Sequence, residues 1–135
     1  MTGLPPDRRR VDEVEAVRWL AGAHEELAVA GVVIEHGGLQ PRSGCLHAHL
    51  AAEKALKALL VYRGITIRRS HDLFELVSLL TGDDVRCASA DDLELLNPWS
   101  IEGRYPADLI VVTSGQAQEV LDAAGRIVAA VARCI

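Results

Sequence analysis

Aromatic side chains are nearly missing, with one Phe, two Tyr and two Trp in 135 residues. A core must therefore come from Ala, Leu, Val and Ile, and alanine-rich faces let helices approach closely. Cysteine is scarce as well. Cys45, Cys87 and Cys134 show no CxxC spacing, which argues against a zinc site and fits a reducing compartment. They read as small buried hydrophobes. No window holds about 18 uninterrupted apolar residues, so no membrane span is expected. The opening "MTGLPPDRRR" lacks the apolar segment of a signal peptide, and the expected location is the cytoplasm. There is no phosphate-cradling glycine loop and no glycine-flanked nucleophile elbow. A net charge of −5 argues against a chain that coats nucleic acid by bulk electrostatics, while leaving room for a local basic patch.

Half of the residues are hydrophobic and 24% are charged, the balance of one globular domain. Residues 1–10 read as a flexible tail and 11–135 as a helical bundle. The first helix is expected over about Val11–Val33, with Val14, Val17, Leu20, Ala21, Leu27 and Ala28 at helical spacing. Glu13, Glu15, Arg18, Glu25 and Glu26 supply its polar positions. The second starts after Pro41 or Ser43 and ends near Arg63, its buried stripe being Ala48, Ala52, Ala55, Leu56 and Leu59, with Gly64 as the residue past its end. A third starts at an N-cap Ser70 and ends at Gly82. A fourth spans about Ala88–Leu96, capped by Ser89 or Asp91, and Pro98 stops it. "WSIEGRYPADLIVV" has no helical period and reads as a loop packed on the bundle. The last helix, about Ser114–Arg133, repeats apolar residues at Leu121, Ala124, Val128, Val131 and Ile135, and with Val120 and Ile127 is wide enough to meet two neighbours. The fold class is all-α, an up-and-down bundle of four to five helices.

Chemistry-bearing residues gather in three places. In "HAHLAAEKALKALLVYRG", Glu53 and Lys57 lie four apart in the favourable order of a solvated ion pair. Lys54 points in another radial direction, closer to the alanine stripe. His71 and Asp72 open the third helix, either as a local cap or as part of a polar site against the second helix. In "EGRYP", Arg104 can grip a carboxylate or a phosphate in two-pronged fashion. Tyr105 offers a stacking ring, and Pro106 holds it in an extended conformation. His47 and His49 are two apart and cannot face one way on a helix, and the other histidines sit on separate segments, so no metal is expected. Trp19 and Trp99 are either core fillers or interface anchors.

The series "HAHLAAEKALKALLVYRG", "SHDLFELVSLL" and "GRYP", in that order ahead of a closing helix, resembles the HEPN domains (higher eukaryote and prokaryote nucleotide-binding) over about residues 11–133. The resemblance implies a helical bundle that pairs, as a homodimer or with a partner. For the minimal type it implies a small nucleotidyltransferase partner in a toxin–antitoxin-like pair. It also implies nucleotide or RNA as ligand, no cofactor and no membrane. Many members are metal-independent ribonucleases that carry an Arg, four to six residues and then a His. The positions after Arg104 where that His belongs are Leu109, Ile110 and Val111. Arg42 with His47 or His49 has the spacing, but at the head of the second helix. Cleavage without the His loses a factor of about 10²–10⁴. The expected function is thus a nucleotide- or RNA-binding interaction module, with a dimeric toxin ribonuclease as the alternative. Its expected ligand site is Lys54, Arg104, His71, Tyr105 and Lys57. Against this stands a structural pair, Glu53 with Arg104.

Overall fold

Helix α1 (Pro6–Glu35) and helix α2 (Pro41–Tyr62) form a long antiparallel hairpin in the computed structural model, which describes residues 6–36, 41–67, 69–100 and 112–135. The register shows in the partners. Trp19 faces Lys57, Gly22 faces Lys54, Glu26 meets His47, and Ile34 lies on Gly44. Helix α1 starts earlier than its apolar period predicts, so residues 6–10 are helical. A proline suits the first turn because its fixed φ and missing N–H cost nothing there, and Arg8 pairs with Asp12 one turn on at 3.6 Å.

Helix α2 is the centre of the molecule. Ala48, Ala51, Ala52, Ala55 and Ala58 are fully buried, as are Leu56, Leu59 and Leu60. Those residues point in nearly every radial direction, because α1, α3 and α5 all pack on this one helix. The single stripe expected from sequence is therefore too narrow. Gly64, at φ 72°, ends the helix. Its N–H donates to the Val61 carbonyl at 2.9 Å, and the Ile65 N–H donates to the Leu60 carbonyl at 2.9 Å, a Schellman closure.

Helix α3 (Leu73–Ser78) is short and starts later than expected. Asp72, not Ser70, is its cap. Its carboxylate accepts from the N–H of Phe74 at 2.9 Å, while Ser70 Oγ accepts the Asp72 N–H at 3.1 Å and donates to Glu75 at 3.0 Å. Asp72 wins because a carboxylate at a helix start also meets the helix dipole. The end at Gly82 expected for this helix is instead the start of a 3-10 turn, Gly82–Cys87, with Gly82 at φ 60°. Helix α4 (Ala90–Leu96) is capped by Ser89, which accepts the Asp92 N–H at 3.1 Å, and runs into a second 3-10 turn, Asn97–Trp99. Asn97 reaches back to α3, accepting the Leu73 N–H at 2.9 Å.

Helix α5 (Ser114–Cys134) begins with a capping box between Thr113 and Gln116. Its seam of Val120, Leu121, Ala124, Ile127, Val128 and Val131 is buried against α1 and α2, the two-neighbour packing its width implies. Among the described residues the fold is an all-α up-and-down bundle without strands. Trp99 is core, whereas Trp19 is partly buried at the α1–α2 seam. The "LIVV" stretch lies outside the described residues except for Val112, which packs on the core.

Candidate functional site

Glu53 sits in the middle of α2 with 4% of its surface exposed. A carboxylate at that depth needs partners, and three side chains gather at it. Lys57 Nζ donates to Oε2 at 2.9 Å, and His71 Nδ1–H donates to Oε1 at 2.8 Å. His49, fully buried, places Nδ1 3.8 Å from the same Oε1 and donates Nε2–H to the His71 backbone carbonyl at 3.0 Å. Lys57 Nζ also lies 5.6 Å from the centre of the Trp19 ring, within cation–π range. Because a carboxylate and a carbonyl can only accept, the contacts put the proton of neutral His71 on Nδ1 and that of neutral His49 on Nε2.

This overturns the expectation that Glu53 and Lys57 form a solvated pair. The pair exists, but Lys57 is only 8% exposed. The ammonium of the lysine lies over the Trp19 ring of α1, and the chain just before α3 delivers His71 to the other carboxylate oxygen. His71, whose side chain is 30% exposed, brings this buried network to the surface. Its place is set by the chain just before α3, where Ser70, Asp72 and Asn97 fix the backbone.

Lys54 belongs to a second cluster. Its Nζ donates to Glu26 Oε2 of α1 at 2.8 Å, and His47 Nδ1–H donates to Glu26 Oε1 at 2.8 Å. Gly22 opposite leaves room for the lysine stem, with Lys54 Cδ 3.3 Å from where a Cβ would stand. His47 and His49 thus face different neighbours, as their spacing requires. Of the five expected ligand residues, the structure brings His71 and Lys57 together and puts Lys54 in a separate ion cluster. Arg104 and Tyr105 lie outside the described residues, and so does the expected Glu53–Arg104 pair.

Burial pushes the Glu26 carboxyl up, but the hydrogen bonds from Lys54 and His47, with their charges, outweigh it and hold the group below its ordinary 4.5. A carboxylate with a depressed folded pKa adds stability that is present above the unfolded value and lost as pH falls through the folded one. Glu26→Gln is therefore expected to be less stable than wild type at neutral pH, with the gap closing below about pH 4. Urea melts of the two proteins at stepped pH measure the gap, and a constant gap down to acid pH refutes the assignment.

Sequence reasoning missed His49, Trp19, Glu26 and His47. The signal was available for three of them. Counting outward from the turn between α1 and α2 as a hairpin sets Trp19 against Lys57 and puts Glu26 within reach of both His47 and Lys54. Among the described residues no group of three or more His, Cys, Asp or Glu side chains is arranged to hold a metal ion. No described helix is long and apolar enough to cross a membrane.

The class is an all-α bundle packed on alanine, with a Glu–Lys–His network at its central helix. A family model for the HEPN domain matches residues 16–134. The chain belongs to the HEPN domain family. Two solved structures share the fold. TT1696 from Thermus thermophilus is 28% identical, with a TM-score of 0.71 over 89% of this chain and 98% of that one. ST0689, described as an archaeal HEPN homologue, is 26% identical, with a TM-score of 0.65 over 88% of this chain and 96% of that one. No curated protein matches the chain significantly.

Proposed function

We propose that this HEPN chain is a binding and interaction module that takes a phosphate-bearing ligand, a nucleotide or RNA, beside His71, and that it partners a small nucleotidyltransferase in a toxin–antitoxin-like pair. The observation that carries the ligand part is the grip of Glu53 on His71 at 2.8 Å. With Nδ1–H committed to the carboxylate, protonation of His71 adds an N–H at Nε2, on a ring that reaches the surface. Phosphate oxygens are strong acceptors for such a charge-assisted donor. Lys57 shares that carboxylate but is nearly buried, so, like Lys54 on Glu26, it stays with its counter-ion. Arg104 and Tyr105 of "GRYP" join the proposal through the family resemblance, and Lys54 drops out of it because Glu26 holds it. The pairing part is supported by the resemblance and by exposed apolar side chains on α1, Val11, Val14 and Val17.

Calorimetric titration with GMP, ATP and a short RNA tests the ligand part. Wild type is expected to bind at least one of them, and His71→Ala to weaken that binding about tenfold, the loss of one charge-assisted hydrogen bond. Absence of binding by wild type at millimolar nucleotide and to the RNA removes it. Co-purification with the product of an adjacent gene tests the partner.

The ribonuclease reading keeps one specific support. A histidine oriented by a buried carboxylate is also the arrangement of a general acid–base group. Incubation with tRNA in EDTA separates the two readings. Cleavage that His71→Ala abolishes favours the enzyme, and intact RNA at high protein concentration favours the module.

A further inference from the structure

We infer that Cys87 and Cys134 are a modification site, a dithiol that closes to a reversible disulfide by exchange with an anionic small-molecule disulfide of the glutathione type. The two thiols lie 47 positions apart in the chain, and the fold sets their Sγ atoms 3.7 Å from each other. Cys87 closes the 3-10 turn after Gly82, and Cys134 closes α5. Both are partly exposed, whereas Cys45 is buried. A disulfide needs the sulfurs at about 2.05 Å, so closure has to bring them in from 3.7 Å. The turn itself is already anchored. Arg63, just past the end of α2, holds Asp84 of the turn with two hydrogen bonds, 2.7 and 3.1 Å.

The surroundings suit the partner molecule. Arg86 and Arg133, next in sequence to the two cysteines, line one surface groove with Cys87 and Arg126. Arg126 is held by Asp92 at 2.8 and 3.0 Å and Arg86 stands 4.0 Å from Asp83, a long and exposed pair, which leaves Arg133, and Arg86 after it, as the cations best placed for the carboxylates of a glutathione-type disulfide. Burial, with Cys134 beside it, pushes the Cys87 thiol up to about 12, so Cys87 rests protonated. The exchange is balanced. One cysteine loses its proton to solvent and its sulfur attacks the small disulfide, releasing one small thiolate and leaving a mixed disulfide. The second cysteine, deprotonated in turn, attacks the protein-side sulfur and releases the other small thiolate. Two protein thiols are oxidised and one small disulfide is reduced to two thiols, which take up the two protons.

Full-length protein equilibrated with oxidised glutathione, quenched in acid and unfolded tests this. The expected product has lost two hydrogen masses and keeps one maleimide-reactive thiol, Cys45, in place of the three of the reduced chain. Digestion then gives a Cys87–Cys134 cross-linked peptide, and dithiothreitol restores all thiols. The oxidised form melts about 5 °C or more higher, as expected for closing a loop of this length. Cys87→Ser and Cys134→Ser show no loss of two hydrogens. The inference fails if wild type keeps all its thiols. It fails equally if the reaction stops at the mixed disulfide or if the cross-link joins two copies of the chain.

Discussion

Replacing Glu53 with alanine is expected to cost about 3–5 kcal/mol, the penalty for leaving a buried charge without its counter-ion. The stranded charge is Lys57, which is 8% exposed and donates to Glu53 at 2.9 Å. Its position near the Trp19 face offsets only about 1 kcal/mol. His71 loses its acceptor too, but its ring is partly exposed and water can replace the carboxylate. Glu53→Gln keeps the shape and one acceptor oxygen yet still strands the ammonium, so most of the loss remains. The sign reverses when both ions go. Glu53→Leu with Lys57→Met fills the same space with apolar atoms and is expected to recover most of the stability or exceed wild type, because two desolvation costs vanish together. Urea melts of the two single variants and the double variant form the test. A Glu53→Ala loss under about 1 kcal/mol means the cluster is as wet as an ordinary surface pair. The double variant also separates folding from function: it keeps the bundle and lacks the carboxylate that orients His71, so it is expected to lose the ligand binding proposed above.

That contrast explains what the sequence could and could not disclose. Helix existence was legible because apolar period and caps are local. Ser89 and the stop at Pro98 follow from a few neighbouring residues, as does Gly64 past α2. The pairing of Glu53 with Lys57 was legible for the same reason, being four residues along one helix. Its burial was not. Burial depends on α1 bringing Trp19 and on the chain just before α3 bringing His71 to one spot, and neither partner is near in sequence. The Cys87–Cys134 contact is hidden likewise, joining distant elements, whereas Lys54–Glu26 follows once α1 and α2 are read as a hairpin. The error on α3 has a different origin. Ser70 and Asp72 are both good caps, and the choice falls to Asp72, whose carboxylate meets the helix dipole, while Asn97, distant in sequence, accepts the Leu73 N–H at the same helix start. "SHD" drew notice as a polar run at a helix start, and the structure sets its His71 on Glu53 of α2 at 2.8 Å.

A second result is expected at a close approach of α1 and α2. Gly44→Ala should destabilise the protein by about 1–3 kcal/mol, the range of an overpacked core. A Cβ added there would lie 2.3 Å from Ile34 Cγ1 and 2.8 Å from Cδ1, far inside normal contact, and 3.3 Å from the Ala30 carbonyl oxygen. The isoleucine can rotate away, but the carbonyl belongs to the backbone of α1, so relief requires the hairpin to open there. Glycine inside a helix ordinarily costs about 0.5–1 kcal/mol relative to alanine. That gain is included here and does not suffice. Gly31 is the control, since it too lies within a helix, and a Cβ built on it meets nothing within 4 Å. Gly31→Ala should therefore stabilise by about 0.5–1 kcal/mol, opposite in sign to the same change at Gly44. The pair isolates contact from propensity. Adding Ile34→Ala to Gly44→Ala should return part of the loss, because the shortened side chain vacates the space the new methyl needs. Thermal melts of wild type and the three variants decide it. Equal shifts at Gly44 and Gly31 would mean that α1 and α2 stand further apart than described, and the same spacing is what keeps Trp19 over Lys57 and Glu26 on Lys54.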